Sequence, residues 1–130
     1  SNMAERYVVF DERARALAQM FWPGPLTLIL PSKTGGTVGV RVPDNKFCLE
    51  LLDKFGRPII STSANISGMQ TEKSIDEILK QFGKKSKNIQ LIVDGGTLEN
   101  TEPSTILDLT YGNARVTREG KIKNIENFLK

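Results

Sequence analysis

GRPIISTSANISG, residues 56–68, passes within a few positions from an apolar run to small polar residues. Pro58-Ile59-Ile60 is a short apolar run that reads as a buried strand, and it breaks at once into Ser61, Thr62, Ser63, Ala64 and Asn65. Such a break exposes backbone N–H groups and hydroxyls with no bulky side chain in the way. A loop of this kind makes room for phosphate oxygens or a small zwitterion at the carboxyl end of a sheet strand. The plain alternative is a strand-to-helix turn whose Ser, Thr and Asn side chains cap their own backbone.

On the N-terminal side, Asp11 is placed to cap a helix with Ala14, Leu17, Ala18 and Phe21 at helical spacing. Trp22-Pro23-Gly24-Pro25 stops it. Residues 26–30, nearly all apolar, predict a strand covered on both faces. Lys33-Thr34-Gly35-Gly36 turns the chain into a second strand over 37–42, so the pair predicts a hairpin. Pro43-Asp44 ends it and caps a helix with Phe47, Cys48, Leu51, Leu52 and Phe55 on one face, closed by Gly56. On the C-terminal side, Ser74-Ile75-Asp76-Glu77 is a capping box before Ile78, Leu79 and Phe82. Lys84, Lys85 and Lys87 form a solvated linker, 90–93 a strand, 104–109 another, and 114–117 and 121–122 a last hairpin about Glu119-Gly120. Asn124 is placed to cap a terminal helix. The pattern predicts an α/β or α+β fold: a twisted mixed sheet with flanking helices, in one domain over 4–130. Ser1-Asn2-Met3 reads as an expression remnant.

Composition narrows the function. The 130 residues carry a net charge of +3, which suits anionic ligands without demanding nucleic acid. There is no histidine, so the commonest general base and metal ligand are both missing. One cysteine, Cys48, makes neither an internal disulfide nor a zinc site and reads as a buried structural thiol. No run approaches the roughly 18 apolar residues of a membrane span, and a cytoplasmic location without membrane association is expected.

Four segments, taken together, resemble the YrdC-like family of threonylcarbamoyl-AMP synthases. They are Phe21-Trp22-Pro23-Gly24-Pro25-Leu26-Thr27, Val38-Gly39-Val40-Arg41-Val42-Pro43, residues 61–68 with Ser63-Ala64-Asn65, and Pro103-Ser104-Thr105-Ile106. The resemblance implies a YrdC-like fold and a nucleotidyl transfer in which L-threonine, bicarbonate and ATP give threonylcarbamoyl-adenylate, with release of pyrophosphate. That product serves t6A modification of tRNA. It further implies ATP contacts at Thr37, Ser63, Thr71 and Arg118, threonine contacts at Arg41, Ser61 and Ser104, and a catalytic group of Ser63, Asn65 and Arg41. No protein metal site is implied, and Mg²⁺ is expected with ATP. Without the resemblance, Arg41 and Arg118 read as surface ion pairs more readily than as ligand contacts. The family's Pro-Thr-Asp/Glu-Thr motif and its Lys-x-Arg phosphate clamp do not occur here, so the N-terminal third of the domain is expected to be missing. Activity of the isolated chain is therefore in question. The rival expectation is a non-catalytic module for nucleotide or double-stranded RNA, and a homodimer is expected if uncovered apolar faces meet.

Overall fold

Asp11 begins the first helix as its composition requires. Its carboxylate accepts the Ala14 N–H at 2.7 Å and is clamped by Arg13 at 2.9 Å, opening α1 (Glu12–Phe21). The structure, a computed structural model, describes residues 3–99 and 102–129; Ser1 and Asn2 of the expected remnant lie outside them. By internal packing the chain divides into Ser1–Ile59 with Glu102–Lys130, and Ile60–Thr101.

The first unit is a four-stranded mixed sheet of order β2-β1-β3-β4. β1 (Leu26–Pro31) and β2 (Thr37–Val40) form the expected hairpin, with Leu28 opposite Val40 and Pro31 opposite Thr37. β3 (Thr105–Asp108) lies parallel to β1, and β4 (Arg115–Arg118) returns antiparallel to β3. Successive side chains of a strand point to opposite faces. Leu26, Leu28 and Leu30 are therefore fully buried with Leu107, Leu109, Ile125 and Val8 against Ala14, Leu17 and Ala18 of α1. Thr27, Ile29 and Pro31 occupy the other face and are only half-buried. β1 is thus covered on one face, not both, and Leu26 and Leu28 are not left to water.

Other expectations need correction. The cap of α2 (Lys46–Phe55) is Asn45, whose side chain accepts the Cys48 N–H at 2.9 Å; Asp44 stands one residue too early. Gly56 closes α2 in the left-handed region, as expected. Cys48 is half-buried, and no residue of α2 is buried. Residues 58–60 and 90–93 are not strands, and Ile60 is fully exposed. An apolar run becomes a strand only when another strand completes its hydrogen bonds, and neither run has such a partner among the described residues. Residues 84, 85 and 87 lie in a 3₁₀ turn, Gly83–Asn88, rather than a linker. Residues 121–122 form no strand, and Asn124 leads with positive φ and no side-chain cap into a 3₁₀ turn, Ile125–Phe128. In the second unit, α3 (Ile75–Phe82) is capped by Ser74 and Glu77 as the capping box requires.

Two expected results follow. Asp11→Ala removes a cap and should cost about 1 kcal/mol by denaturant unfolding. The Asp11 pKa lies below its ordinary 3.8: burial opposes ionisation, but the N–H of Ala14 and the guanidinium of Arg13 outweigh it. A depressed carboxylate stabilises fully above the unfolded pKa and loses that contribution as pH falls through the folded one. The penalty of Asp11→Ala should therefore hold at neutral pH and shrink as pH falls below about 4. The second concerns α2, where Phe47 is 52 % and Phe55 47 % exposed on one face with Leu51. Stable monomers rarely leave such a contiguous apolar face in water. Copies should associate at tens of micromolar; sedimentation equilibrium giving only 14.4 kDa across the range would show that they do not.

Candidate functional site

The open face of the first sheet carries the polar groups. β1 and β3 begin at the end of the sheet where β2 and β4 finish, because the first pair is parallel and each outer strand is antiparallel to its neighbour. Thr27, Ser104, Arg118 and Arg41 therefore gather at one end, contributed by all four strands or their immediate flanks. Pairing of Thr27 with Ile106, and of Ile106 with Arg118, puts Thr27 and Arg118 on the same face.

Three of these residues form a continuous hydrogen-bonded chain. Arg118 Nε donates to the Ser104 carbonyl at 2.9 Å, and Nη2 donates to Ser104 Oγ at 3.0 Å. Ser104 Oγ lies 2.9 Å from Thr27 Oγ1. Ser104 itself is only 6 % exposed. Its seat is fixed from below by Thr105, whose buried hydroxyl accepts the N–H groups of Gly120 and Ile122 at 3.0 Å each and donates to the Ile122 carbonyl at 2.7 Å. Gly120 is required by this approach: a Cβ there would strike the Pro103 carbonyl oxygen and come 2.6 Å from the Ser104 carbonyl carbon. The Glu119-Gly120 pair, expected as a hairpin tip, is instead a close crossing behind the site.

Arg41 is oriented by the turn after α1. Its Nε donates to the Gly24 carbonyl at 3.0 Å, while Gly24 N–H donates to the Val42 carbonyl at 2.9 Å. Trp22 Nε1 donates to the Leu26 carbonyl at 2.7 Å, tying the same turn to the start of β1. A Cβ on Gly24 would strike the Phe21 carbonyl oxygen, so the Trp-Pro-Gly-Pro segment closes only with glycine there. Among the described residues neither Arg41 nor Arg118 pairs with a carboxylate. Thr37 opens β2 opposite Pro31, at the other end of that strand from Arg41.

Ser61, Ser63, Asn65 and Thr71 belong to the second unit. Ser61, Ser63 and Thr71 are exposed. Asn65 is anchored, its Nδ2 donating to the carbonyls of Ile66 at 3.1 Å and Met69 at 2.8 Å. Gln81 of α3 holds the same turn, accepting the Ile66 N–H at 2.8 Å and donating to the Gln70 carbonyl at 2.9 Å. Asn65 Oδ1 is left buried with no partner, alone in this among the described side-chain polar atoms. No group of three or more His, Cys, Asp or Glu side chains that could hold a metal occurs among the described residues. No helix there is long and apolar enough to cross a membrane.

Two residues escaped the sequence reading as site elements, Thr27 and Thr105. Both sit inside quoted segments, but only the parallel pairing of β1 with β3 shows that Thr27 meets Ser104 across 77 residues of chain.

Comparison with known proteins points one way. The Sua5_yciO_yrdC family, described as "Telomere recombination", matches residues 1–120. A threonylcarbamoyl-AMP synthase of Pyrococcus abyssi is 43 % identical over 108 residues, 76 % of this chain and 31 % of the relative. One from Serratia proteamaculans is 37 % identical over 111 residues, 78 % of this chain and 57 % of the relative. Among solved structures, P. abyssi Sua5 complexed with L-threonine superposes with TM-score 0.84 at 33 % identity, covering 99 % of this chain and 41 % of that one. E. coli YciO gives TM-score 0.79 at 32 % identity, covering 98 % and 65 %. The chain thus spans well under two thirds of the curated relatives it matches. With its mixed sheet, its helices and its matched motifs, it belongs to the Sua5/YciO/YrdC family.

Proposed function

We propose that this chain supplies the L-threonine-binding sheet face of a threonylcarbamoyl-AMP synthase, the whole enzyme using L-threonine, bicarbonate and ATP for t6A modification of tRNA. The observation that carries the reading is the guanidinium–hydroxyl chain Arg118–Ser104–Thr27, built on a fold shared with a relative solved with L-threonine. An amino acid brings a carboxylate and a hydroxyl, and Arg41 offers its free terminal amines to that carboxylate as a planar fork. The resemblance assigns threonine to Arg41, Ser61 and Ser104 and ATP to Thr37, Ser63, Thr71 and Arg118; the Arg118 fork, engaged with Ser104, departs from that assignment and is read here with the amino acid.

The reaction needs no histidine. The threonine amine adds to the bicarbonate carbon and water leaves to give a carbamate, a carbamate oxygen attacks the α-phosphorus, and pyrophosphate leaves. Positioning and neutralisation of charge carry such a transfer. Mg²⁺ would enter with the ATP phosphates and neutralise them. The unpaired, buried Asn65 Oδ1 fits a hard cation as a single protein oxygen, and no carboxylate cage surrounds it among the described residues. The protein's own part is to hold the carbamate and to keep water from it.

The test is a chemical-shift titration of this chain with L-threonine, ATP and Mg²⁺. Saturable shifts at 27, 104 and 118 with threonine, and at 61–65 with ATP at about millimolar concentration, are expected because the charged clamps that tighten such sites are few here. Pyrophosphate release should stay near background. No shift at either set with both ligands present would overturn the reading. Binding of ATP or double-stranded RNA without any response to threonine would support the non-catalytic module instead.

A further inference from the structure

We propose that Thr27 is the residue that touches the amino acid directly, with Ser104 and Arg118 acting behind it as positioning residues; this rests on the reading just given. The polarity of the chain decides the roles. Arg118 Nη2 can only donate, so Ser104 Oγ accepts from it. The Ser104–Thr27 bond has two possible directions. If Thr27 donated, the single Ser104 proton would be left buried at 6 % exposure without an acceptor, which is costly. Ser104 therefore donates to Thr27, and a neighbouring cation strengthens that direction. The Thr27 proton is then free at the half-buried end of the chain, on the open face. Its natural partner is an anionic oxygen such as an amino-acid carboxylate or a carbamate.

Gly39 supplies an independent observation. It lies on β2 between Thr37 and Arg41, and its φ is not positive. A Cβ there would meet Thr27 Cγ2 at 3.5 Å, an ordinary contact. Neither backbone geometry nor packing within the unit demands glycine, although glycine inside a strand costs stability. A mid-strand glycine without such a cause is often found where a ligand or another backbone comes close. The space it leaves lies beside Thr27.

The experiment compares L-threonine affinity, by titration well below the melting temperature, in the unmodified chain and in Thr27→Val, Thr27→Ser and Gly39→Ala. Valine keeps the shape and β-branching while removing the hydroxyl; binding should weaken about tenfold, and because Ser104 loses its acceptor the melting temperature should fall somewhat, which is why affinity is read well below it. Serine keeps the donor and should stay within about threefold. Gly39→Ala should bind more weakly while melting no lower. A Thr27→Val affinity equal to that of the unmodified chain overturns the inference and leaves the synthase reading standing. Should valine disturb the fold, full affinity in Gly39→Ala, or Thr27→Ser binding as weakly as an added Thr27→Ala variant, overturns it equally. No saturable threonine binding in the unmodified chain ends both.

Discussion

Thr105→Val should lower the stability of the chain by about 2–6 kcal/mol, the largest effect expected of any isosteric change here. The hydroxyl accepts two backbone N–H groups, from Gly120 and Ile122, and donates to the Ile122 carbonyl. The residue is fully buried, so water cannot replace it. Leaving two donors unpaired costs about 1–3 kcal/mol each, against a total stability of about 5–15 for a domain. Thr105→Ser retains the oxygen and should recover most of the loss. Urea unfolding decides: a midpoint within experimental error of the unmodified chain, at equal slope, would mean that the crossing behind β3 rearranges freely. Because Ser104 is the next residue, threonine affinity should fall with stability in the valine variant and return with serine.

What the sequence disclosed follows from the range of the interactions concerned. Asp11, Ser74 and Gly56 act on backbone within a turn of themselves, and α1, α3 and the end of α2 fell where those residues put them. The β1–β2 hairpin is likewise local, closed by Lys33-Thr34-Gly35-Gly36. The failures lie where a distant partner decides. Residues 58–60 and 90–93 have the composition of strands, but a strand exists only by pairing. The two faces of β1 could not be told apart, since Ile29 and Leu30 are equally apolar; α1 covers only the face of Leu26, Leu28 and Leu30. The candidate residues of the loop at 61–65 and of Arg41 were readable as types. That Arg118 turns its fork onto Ser104 was not, because the bond depends on β3 and β4 lying side by side.

Arg118→Ala is expected to weaken L-threonine binding by about 10- to 100-fold, more than the loss of the Thr27 hydroxyl alone. The resemblance to the family implies a nucleotide contact at this position. The geometry gives the guanidinium another task, since Nε and Nη2 are both engaged with Ser104 and only Nη1 remains. Removing the side chain deprives a buried carbonyl and a buried hydroxyl of their donors and takes away the positive charge behind the chain. A charged hydrogen bond contributes about 1.5–3 kcal/mol, which is the range quoted. Lysine should not restore binding, because a single ammonium cannot meet two acceptors with the spacing of a planar fork. The measurement is a pair of affinities, for L-threonine and for ATP with Mg²⁺, in the unmodified chain, Arg118→Ala and Arg118→Lys. A fall in threonine affinity larger than the fall in ATP affinity places Arg118 behind the amino acid. The reverse order, or recovery by lysine, would return it to the phosphates, and Ser104 would then be held by β3 and Thr105 without its help.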